Sequence, residues 1–376
     1  MKWIKINALI PLISSLLFLY IAWLEIYFLF LLLAIVFFLI FFYIQFQICK
    51  SILIFLISLT IGFSISEICL QVFYVDSKTF VEYKKNYRYA KFIQSIDGIG
   101  YKAYPGNYDV KKFFNKKELI YDVSYSIAPD GYRADISDDP FDAYIYGGSF
   151  TFGEGLNDNE TLSAYLYNEY KINTKNMGLN GYGLNHALYN IESDKTGFNR
   201  INILLTFPAH ALRSSCKPAY SKGSPLYKKT GDDVIYNGSC PYGSLFFRVI
   251  RKSYIYTLVE DALFDMNNII TDADIDLYIS IINSIYKNTK DNKSHLIIAY
   301  IKAPESQLAN TSWTNERIKQ RLGLLSDDII DVSLANDVNL LDKKYTLHEF
   351  DLHPSAQANM KRAELLSEII NKYKKF

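Results

Sequence analysis

The chain has 376 residues, half of them hydrophobic and 16% aromatic, with 40 Lys+Arg against 39 Asp+Glu. A net charge of +1 excludes a nucleic-acid partner, which calls for a basic excess. Residues 1–75 carry only Lys2, Lys5, Glu25, Lys50 and Glu67 as charges, whereas the rest is charged like a globular domain, so a purely soluble protein, a disordered chain and a polytopic transporter are excluded together.

Charge-free runs set the first segment. A bilayer core takes roughly 20 apolar residues to span; two charge-free runs reach about that length and a third is broken only by Glu67, predicting a membrane anchor over 1–75 with helices near 6–24, 26–48 and 51–74. A cleaved leader is the rival for the first run, but Ala22-Trp23-Leu24-Glu25 is a poor cleavage site and apolar sequence resumes at once. Lys2, Lys5 and Lys50 share one side. The positive-inside tendency puts that side in the cytoplasm and sends everything after Asp76 to the outer, periplasmic face of the cytoplasmic membrane. Glu67, a turn or two from the outer end of its helix, can snorkel or meet a polar partner, simple solvation at the interface being the expectation.

Residues 76–127 are Tyr- and Lys-rich and read as a linker and lead-in segment, with one strand over Leu119–Ile127. Ala128-Pro129-Asp130-Gly131 is a turn. From 128 to 376 the pattern becomes strand, turn, helix, repeated. Strands are predicted at Ala143–Tyr146, Lys175–Leu179, Ile201–Phe207, Leu296–Ile301 and Asp328–Val332, with helices at 160–170, 244–263, 273–289 and 355–374. Pro354 suits the first turn of the last helix. Continuous apolar strands alternating with helices predict an α/β domain, a parallel sheet of about five strands covered on both faces. An insertion near 213–243 holds Cys216 and Cys240, the one cysteine pair outside the apolar segment. In an exported domain such a pair predicts a disulfide, two unrelated thiols being the alternative. The pattern holds no zinc site and implies no cofactor.

In open parallel sheets, ligands bind beyond the carboxyl ends of the strands, and three such ends carry polar residues of catalytic type. Gly147-Gly148-Ser149 lets the backbone turn sharply and present a hydroxyl. Asn176-Met177-Gly178-Leu179-Asn180-Gly181 can bring a glycine N–H to a substrate oxygen. Asp351-Leu352-His353 places a carboxylate where it can hold an imidazole and set its tautomer. His348 reads as a loop residue and His186 as a packed or solvated helix residue.

Taken together, these blocks resemble the SGNH/GDSL hydrolase superfamily, in particular its membrane-anchored bacterial members. Ser149 through Gly155, followed by Glu160-Thr161, looks like the nucleophile block, with Asp130-Gly131-Tyr132-Arg133 just upstream. Asn176 to Gly181 looks like the second block, and Asp351/His353 like the last. The resemblance implies a flavodoxin-like sheet, a catalytic triad of Ser149, His353 and Asp351, and an oxyanion site built from the N–H groups of Ser149 and Gly181. Three departures stand out. Gly148 replaces the usual Asp before the nucleophile. Phe207-Pro208-Ala209-His210-Ala211-Leu212-Arg213 replaces the third block and its Asn, leaving His210 as the candidate third oxyanion donor. The last pair is spaced Asp-x-His, a spacing also found in SGNH-like O-acetyltransferases of envelope polysaccharides. Asn180 and Arg213 are candidate substrate contacts, with an ordinary salt bridge the alternative for Arg213.

The implied activity is a membrane-tethered serine acyl-ester hydrolase acting on an acylated carbohydrate or lipid. An O-acetyltransferase working with a polytopic membrane acyltransferase is the second reading. A catalytically silent glycan-binding or assembly protein is the third.

Overall fold

The structure is a computed structural model that describes residues 47–73, 79–115, 117–193, 200–241, 269–334, 344–349 and 351–374, with 32, 35, 36, 253 and 255. The chain divides into two compact units, Met1–Asp76 with Gly243–Asp265, and Ser77–Tyr242 with Met266–Phe376.

In the first unit the apolar run around Lys50 forms α1 (Gln47–Phe73). Its stretch Ser51–Leu70 has a mean hydropathy of 2.2 and is long and apolar enough to cross a membrane. Among the described residues this is one such helix rather than the expected three. The expected helices at 6–24 and 26–48 lie outside the described residues, apart from helical Leu32, Ile35 and Val36 and from Gln47 and Ile48, which belong to α1. Glu67 differs from expectation. It is buried, and it accepts hydrogen bonds from the Ser253 hydroxyl at 2.7 Å and the Ile255 N–H at 3.2 Å. A carboxylate in apolar surroundings needs such donors to offset its lost hydration. The rest of the helix expected at 244–263 lies outside the described residues.

In the second unit, the stretch read as a linker with one strand over Leu119–Ile127 is a β-structure of six strands, β1 (Thr79–Lys85), β2 (Arg88–Tyr89), β3 (Ile93–Ile96), β4 (Gly100–Ala103), β5 (Gly106–Phe114) and β6 (Glu118–Ile127), the last being the expected one. They form an antiparallel sheet in the order β2-β1-β5-β6 and a separate β3–β4 hairpin. Alternation explains it once Tyr is counted as apolar. On β5, Tyr108, Val110 and Lys112 point inward while Asn107, Asp109 and Lys111 are more exposed. The buried face carries Tyr108 and Tyr125, which pack with Phe92 and with Phe152 from the following domain.

The α/β body follows as β7 (Ala143–Gly147), α2 (Ser149–Phe152), α3 (Leu162–Tyr170), β8 (Thr174–Gly178), α4 (Leu184–Ser193), β9 (Ile201–Thr206), α5 (His210–Ser214), β10 (Pro225–Thr230), β11 (Asp233–Ser239), α6 (Asp272–Asp291), β12 (His295–Tyr300), α7 (Glu305–Leu308), α8 (Asn315–Gly323), β13 (Asp328–Asp331), β14 (Thr346–His348), β15 (Asp351–Pro354) and α9 (Ala356–Lys374). The five-stranded sheet runs β13-β12-β9-β7-β8, and each pairing is parallel. Counted along the chain this is the order 2-1-3-4-5 of flavodoxin-like sheets, as expected, with its switch point between β7 and β9.

Period-two geometry splits the apolar strands between two cores. Leu204, Leu296, Ile298 and Tyr300 pack with α4, α6 and α8. Ile203, Leu205, Ile297 and Ala299 pack with α3 and α9 on the other face. Each such side chain removed from water contributes roughly 2 kcal/mol, which is why these strands carry no polar alternation. Pro354 closes β15 rather than opening α9. The helix is capped by Ser355, whose hydroxyl accepts from Ala358 N–H at 3.2 Å. The insertion folds as the β10–β11 hairpin, tied down by a Cys216–Cys240 disulfide with the Cα atoms 5.5 Å apart. The hairpin docks on α4 and α6 through Asn185 Nδ2 to the Pro225 carbonyl at 2.7 Å and Val234 N–H to Ser284 Oγ at 3.1 Å.

Candidate active site

A cavity of about 370 Å³ opens at the carboxyl ends of β7, β9 and β12, lined among others by Ser149, Phe150, Phe207, Arg213, Asp351 and His353. It sits at the switch point, where this topology leaves a crevice. Ser149 is the first residue of α2, directly after β7, and is 6% exposed. As a helix N-terminal residue its N–H has no intrahelical acceptor. Asn176 in the middle of β8 braces this turn, donating to the Thr151 carbonyl at 2.8 Å and accepting from Gly178 N–H at 3.0 Å.

Asp351 and His353 lie on one short strand, so period-two spacing puts both side chains on one face. His353 Nδ1 is 2.5 Å from Asp351 Oδ1, which also accepts the His353 N–H at 3.1 Å. The carboxylate thus orients the ring. His353 Nε2 is directed at Glu154 Oε2, 3.3 Å away. Among the described residues, no hydrogen bond joins it to Ser149, although both line the cavity.

Two further residues complete the cluster. Lys112 reaches in from β5, its Nζ 2.7 Å from Asp351 Oδ2 and 2.9 Å from Glu154 Oε1. Burial alone would push the ammonium down, but the two carboxylates outweigh it and raise the Lys112 pKa. Burial likewise acts to raise Asp351, yet the hydrogen bond and charge of His353 and the charge of Lys112 hold it well below the usual carboxylate range. Glu154 is delivered by a turn that only glycine allows. Gly155 has φ +77°, and a Cβ there would lie 2.8 Å from the Tyr121 ring.

Neither Lys112 nor Glu154 was anticipated as functional. Glu154 was visible inside the nucleophile block. The signal for Lys112 was a lysine in the inward register of Tyr108 and Val110. Glu154, Asp351 and His353 are also the grouping with metal-ligand chemistry among the described residues, their ligand atoms within 4.8 Å of one another. Lys112 Nζ already supplies the positive charge between the two carboxylates, so a metal ion would have to displace it.

The other expected site residues are distributed as follows. His210 is fully buried and does not line the cavity. Its Nδ1 is 3.0 Å from Thr206 Oγ1, and burial, then Arg213, hold it neutral with a pKa well below the ordinary histidine value. Gly181 and Asn180 stand outside the cavity lining. A Cβ on Gly181 would lie 2.5 Å from Tyr101 OH, and Asn180 gives its carbonyl to that same hydroxyl at 2.7 Å. His186 is packed rather than solvated. It stacks on Tyr182 at 3.9 Å between ring centroids and accepts from Gly183 N–H, and burial, then Arg213, push its pKa to about 3. His348 lies in β14 with Nε2 3.2 Å from Glu118. Arg213 does line the cavity, making its hydrogen bond to the Tyr182 carbonyl at 2.7 Å.

No family profile matches the sequence, and no curated protein matches it. Among solved structures the chain is similar to a member of the lipolytic protein G-D-S-L family from Veillonella parvula, at 14% identity and a TM-score of 0.33, over 60% of this chain and 97% of that one. It is also similar to a carbohydrate esterase family 2 enzyme from Corynascus, at 12% identity and a TM-score of 0.33, over 80% of this chain and 89% of that one. An acetyl xylan esterase from Butyrivibrio proteoclasticus is 11% identical with a TM-score of 0.35, over 79% of this chain and 84% of that one. With likeness this distant, the functional reading rests on the chain's own residues.

Proposed function

We propose that the chain is a membrane-tethered serine acyl-ester hydrolase of SGNH type. The observation that carries this reading is the convergence of Ser149 and the Asp351-oriented His353 on one cavity at the sheet's switch point. In the first step Ser149 Oγ attacks an ester carbonyl. The Oγ–C bond forms, the carbonyl π pair moves onto oxygen, and the hydroxyl proton passes to His353 Nε2. Collapse restores the carbonyl and breaks the bond to the alkoxy leaving group, which takes the proton from His353. Water repeats the sequence on the acyl-enzyme. Asp351, kept ionised by Lys112, stabilises the imidazolium throughout. Phe150, Phe207, Ile301 and Ala303 give the acyl group an apolar wall.

The resting Nε2–Glu154 contact must be exchanged for Ser149 when substrate arrives, in the way catalytic hydrogen bonds commonly tighten only in the complex. Labelling of the detergent-solubilised full chain by a fluorophosphonate probe tests the reading. Labelling should disappear in Ser149→Ala and fall at least about 10³-fold in His353→Ala. A folded parent that takes up no probe, or a Ser149→Ala variant that labels like the parent, overturns it and leaves the silent binding protein.

A further inference from the structure

Two departures from the family pattern meet at one point. A Cβ on Gly148 would overlap Arg213 Nη1 and lie 2.9 Å from the Tyr182 carbonyl oxygen and 3.4 Å from His210 Nε2. The guanidinium therefore occupies the volume that a side chain before the nucleophile would take. It is held from three sides. Nη1 donates to the Tyr182 carbonyl at 2.7 Å, and the charge lies 5.7 Å from the Phe207 ring centroid and 5.8 Å from that of Tyr220. Asp351, the carboxylate that lines the cavity, is taken by Lys112 and His353, and among the described residues no ion pair joins Arg213 to an acid. An Asp at position 148 would set a carboxylate against the guanidinium and cancel its charge. Glycine leaves that charge in place, one residue from Ser149 and facing the cavity.

We infer that Arg213 is the side-chain oxyanion donor of this site, that it stands in for the missing Asn, and that Gly148 and Arg213 are one coupled unit. The inference rests on the acyl-transfer reading above. Its physical basis is preorganisation. A donor fixed by a carbonyl and two rings before substrate arrives needs no reorganisation when negative charge develops on the carbonyl oxygen. A planar guanidinium can keep one N–H on the Tyr182 carbonyl while others face the oxyanion, which a Lys ammonium on a flexible stem does less well. His210, the donor expected from sequence, is neutral, and its ring lies behind the cavity surface.

The test uses the full chain in detergent, a small neutral ester such as p-nitrophenyl acetate, and the fluorophosphonate labelling rate. Arg213→Gln should lower kcat and the labelling rate by about 10²–10³, the usual effect of losing one oxyanion donor, with little change in KM. Arg213→Lys, which keeps the charge, should fall between the parent and Arg213→Gln. Gly148→Ala should also slow labelling, because the methyl displaces the guanidinium. Adding it to Arg213→Gln should cost little more, as expected of residues acting as a unit. Thermal melts of each variant separate these effects from unfolding, and Arg213→Lys supplies the charge-retaining control should Arg213→Gln melt early. Parental labelling by a folded Arg213→Gln overturns the inference. So does a loss confined to KM, which would make Arg213 an anchor for an anionic substrate group, or a double variant whose losses multiply in full. A parent lacking Ser149-dependent labelling is a different failure: the acyl-transfer reading itself then falls, and this inference with it.

Discussion

At the scale of single residues, the central feature is an ammonium shared by two buried carboxylates. Lys112 has a 9% exposed side chain, and Asp351 and Glu154 are 2% and 10% exposed, so none of the three is rehydrated if its partner is lost. Breaking such a group by removing one partner typically costs about 3 kcal/mol or more, because the remaining charges stay buried and unpaired. Lys112→Met is therefore expected to lower unfolding stability by about 3 kcal/mol at neutral pH. The pH dependence has a definite sign. Asp351 is depressed in the folded state, so its contribution is full above the ordinary carboxylate pKa and lost as pH falls below it. Lys112 is raised, so its contribution is present below the ordinary lysine value and lost as pH climbs through the higher folded one. The gap between parent and Lys112→Met should be widest near pH 7 and should narrow progressively as pH falls below the ordinary aspartate value of about 4 towards the depressed folded value of Asp351. Thermal unfolding across that range checks it, and an equal gap at pH 3 and pH 7 would sink the argument. Ser149, Asp351 and His353 were legible in the sequence because each sits in a short local block. Lys112 was not, since it meets Glu154, 42 residues along the chain, and Asp351, farther still, relations no local window contains.

At the scale of elements, the parallel strands were legible because burial on both faces leaves them as plain apolar runs. The strand predicted over Ile201–Phe207 is β9 with one residue too many, and that predicted over Leu296–Ile301 is β12 shifted by one. In the antiparallel sheet only β6 was legible, as the strand predicted over Leu119–Ile127; its other strands were not, because the inward face uses Tyr side chains and a lysine that read as polar. Tyr108 and Tyr125 are each almost fully buried. The loop pairing Cys216 with Cys240 was legible from isolation of the two thiols, and its consequence belongs to the same scale. The bridge closes a separation of 24 residues, which by chain entropy is worth about 3 kcal/mol. It also fixes the chain just after α5, the element that carries Arg213. Reduction, or the double variant Cys216→Ser/Cys240→Ser, is expected to destabilise the chain by about 3 kcal/mol. It should also loosen hydrogen-exchange protection first in β10–β11. A thermal midpoint indifferent to reductant would show that the hairpin's docking on α4 and α6 already holds the loop.

At the scale of the molecule, what has to be explained is why the proposed acyl-ester site shares a chain with α1. The stretch Ser51–Leu70 combines a spanning length with high hydropathy, and it exposes Ile52, Ile54, Phe55, Leu59, Ile61, Phe63, Ile65 and Ile68. Water would penalise so contiguous an apolar surface, whereas lipid matches it. Glu67 does not argue against this placement, because its carboxylate is buried and takes donors from Ser253 and Ile255 in the same unit. These partners also mean that the unit is completed by sequence far along the chain, so cutting at residue 76 would strip Ser253 and Ile255 of the group they serve. The intact chain is therefore the right object for a topology test. It should stay with the membrane pellet through alkaline carbonate, which removes proteins bound only by surface charge. The orientation to be tested is the one expected from the positive-inside tendency, with Lys2, Lys5 and Lys50 on the cytoplasmic side. Protease added to intact spheroplasts should then degrade the Ser77–Tyr242 and Met266–Phe376 unit. Protection of that unit until the membrane is opened would reverse the orientation, putting Ser149 on the cytoplasmic side and withdrawing extracellular esters as substrates. Release by carbonate would remove the tether altogether.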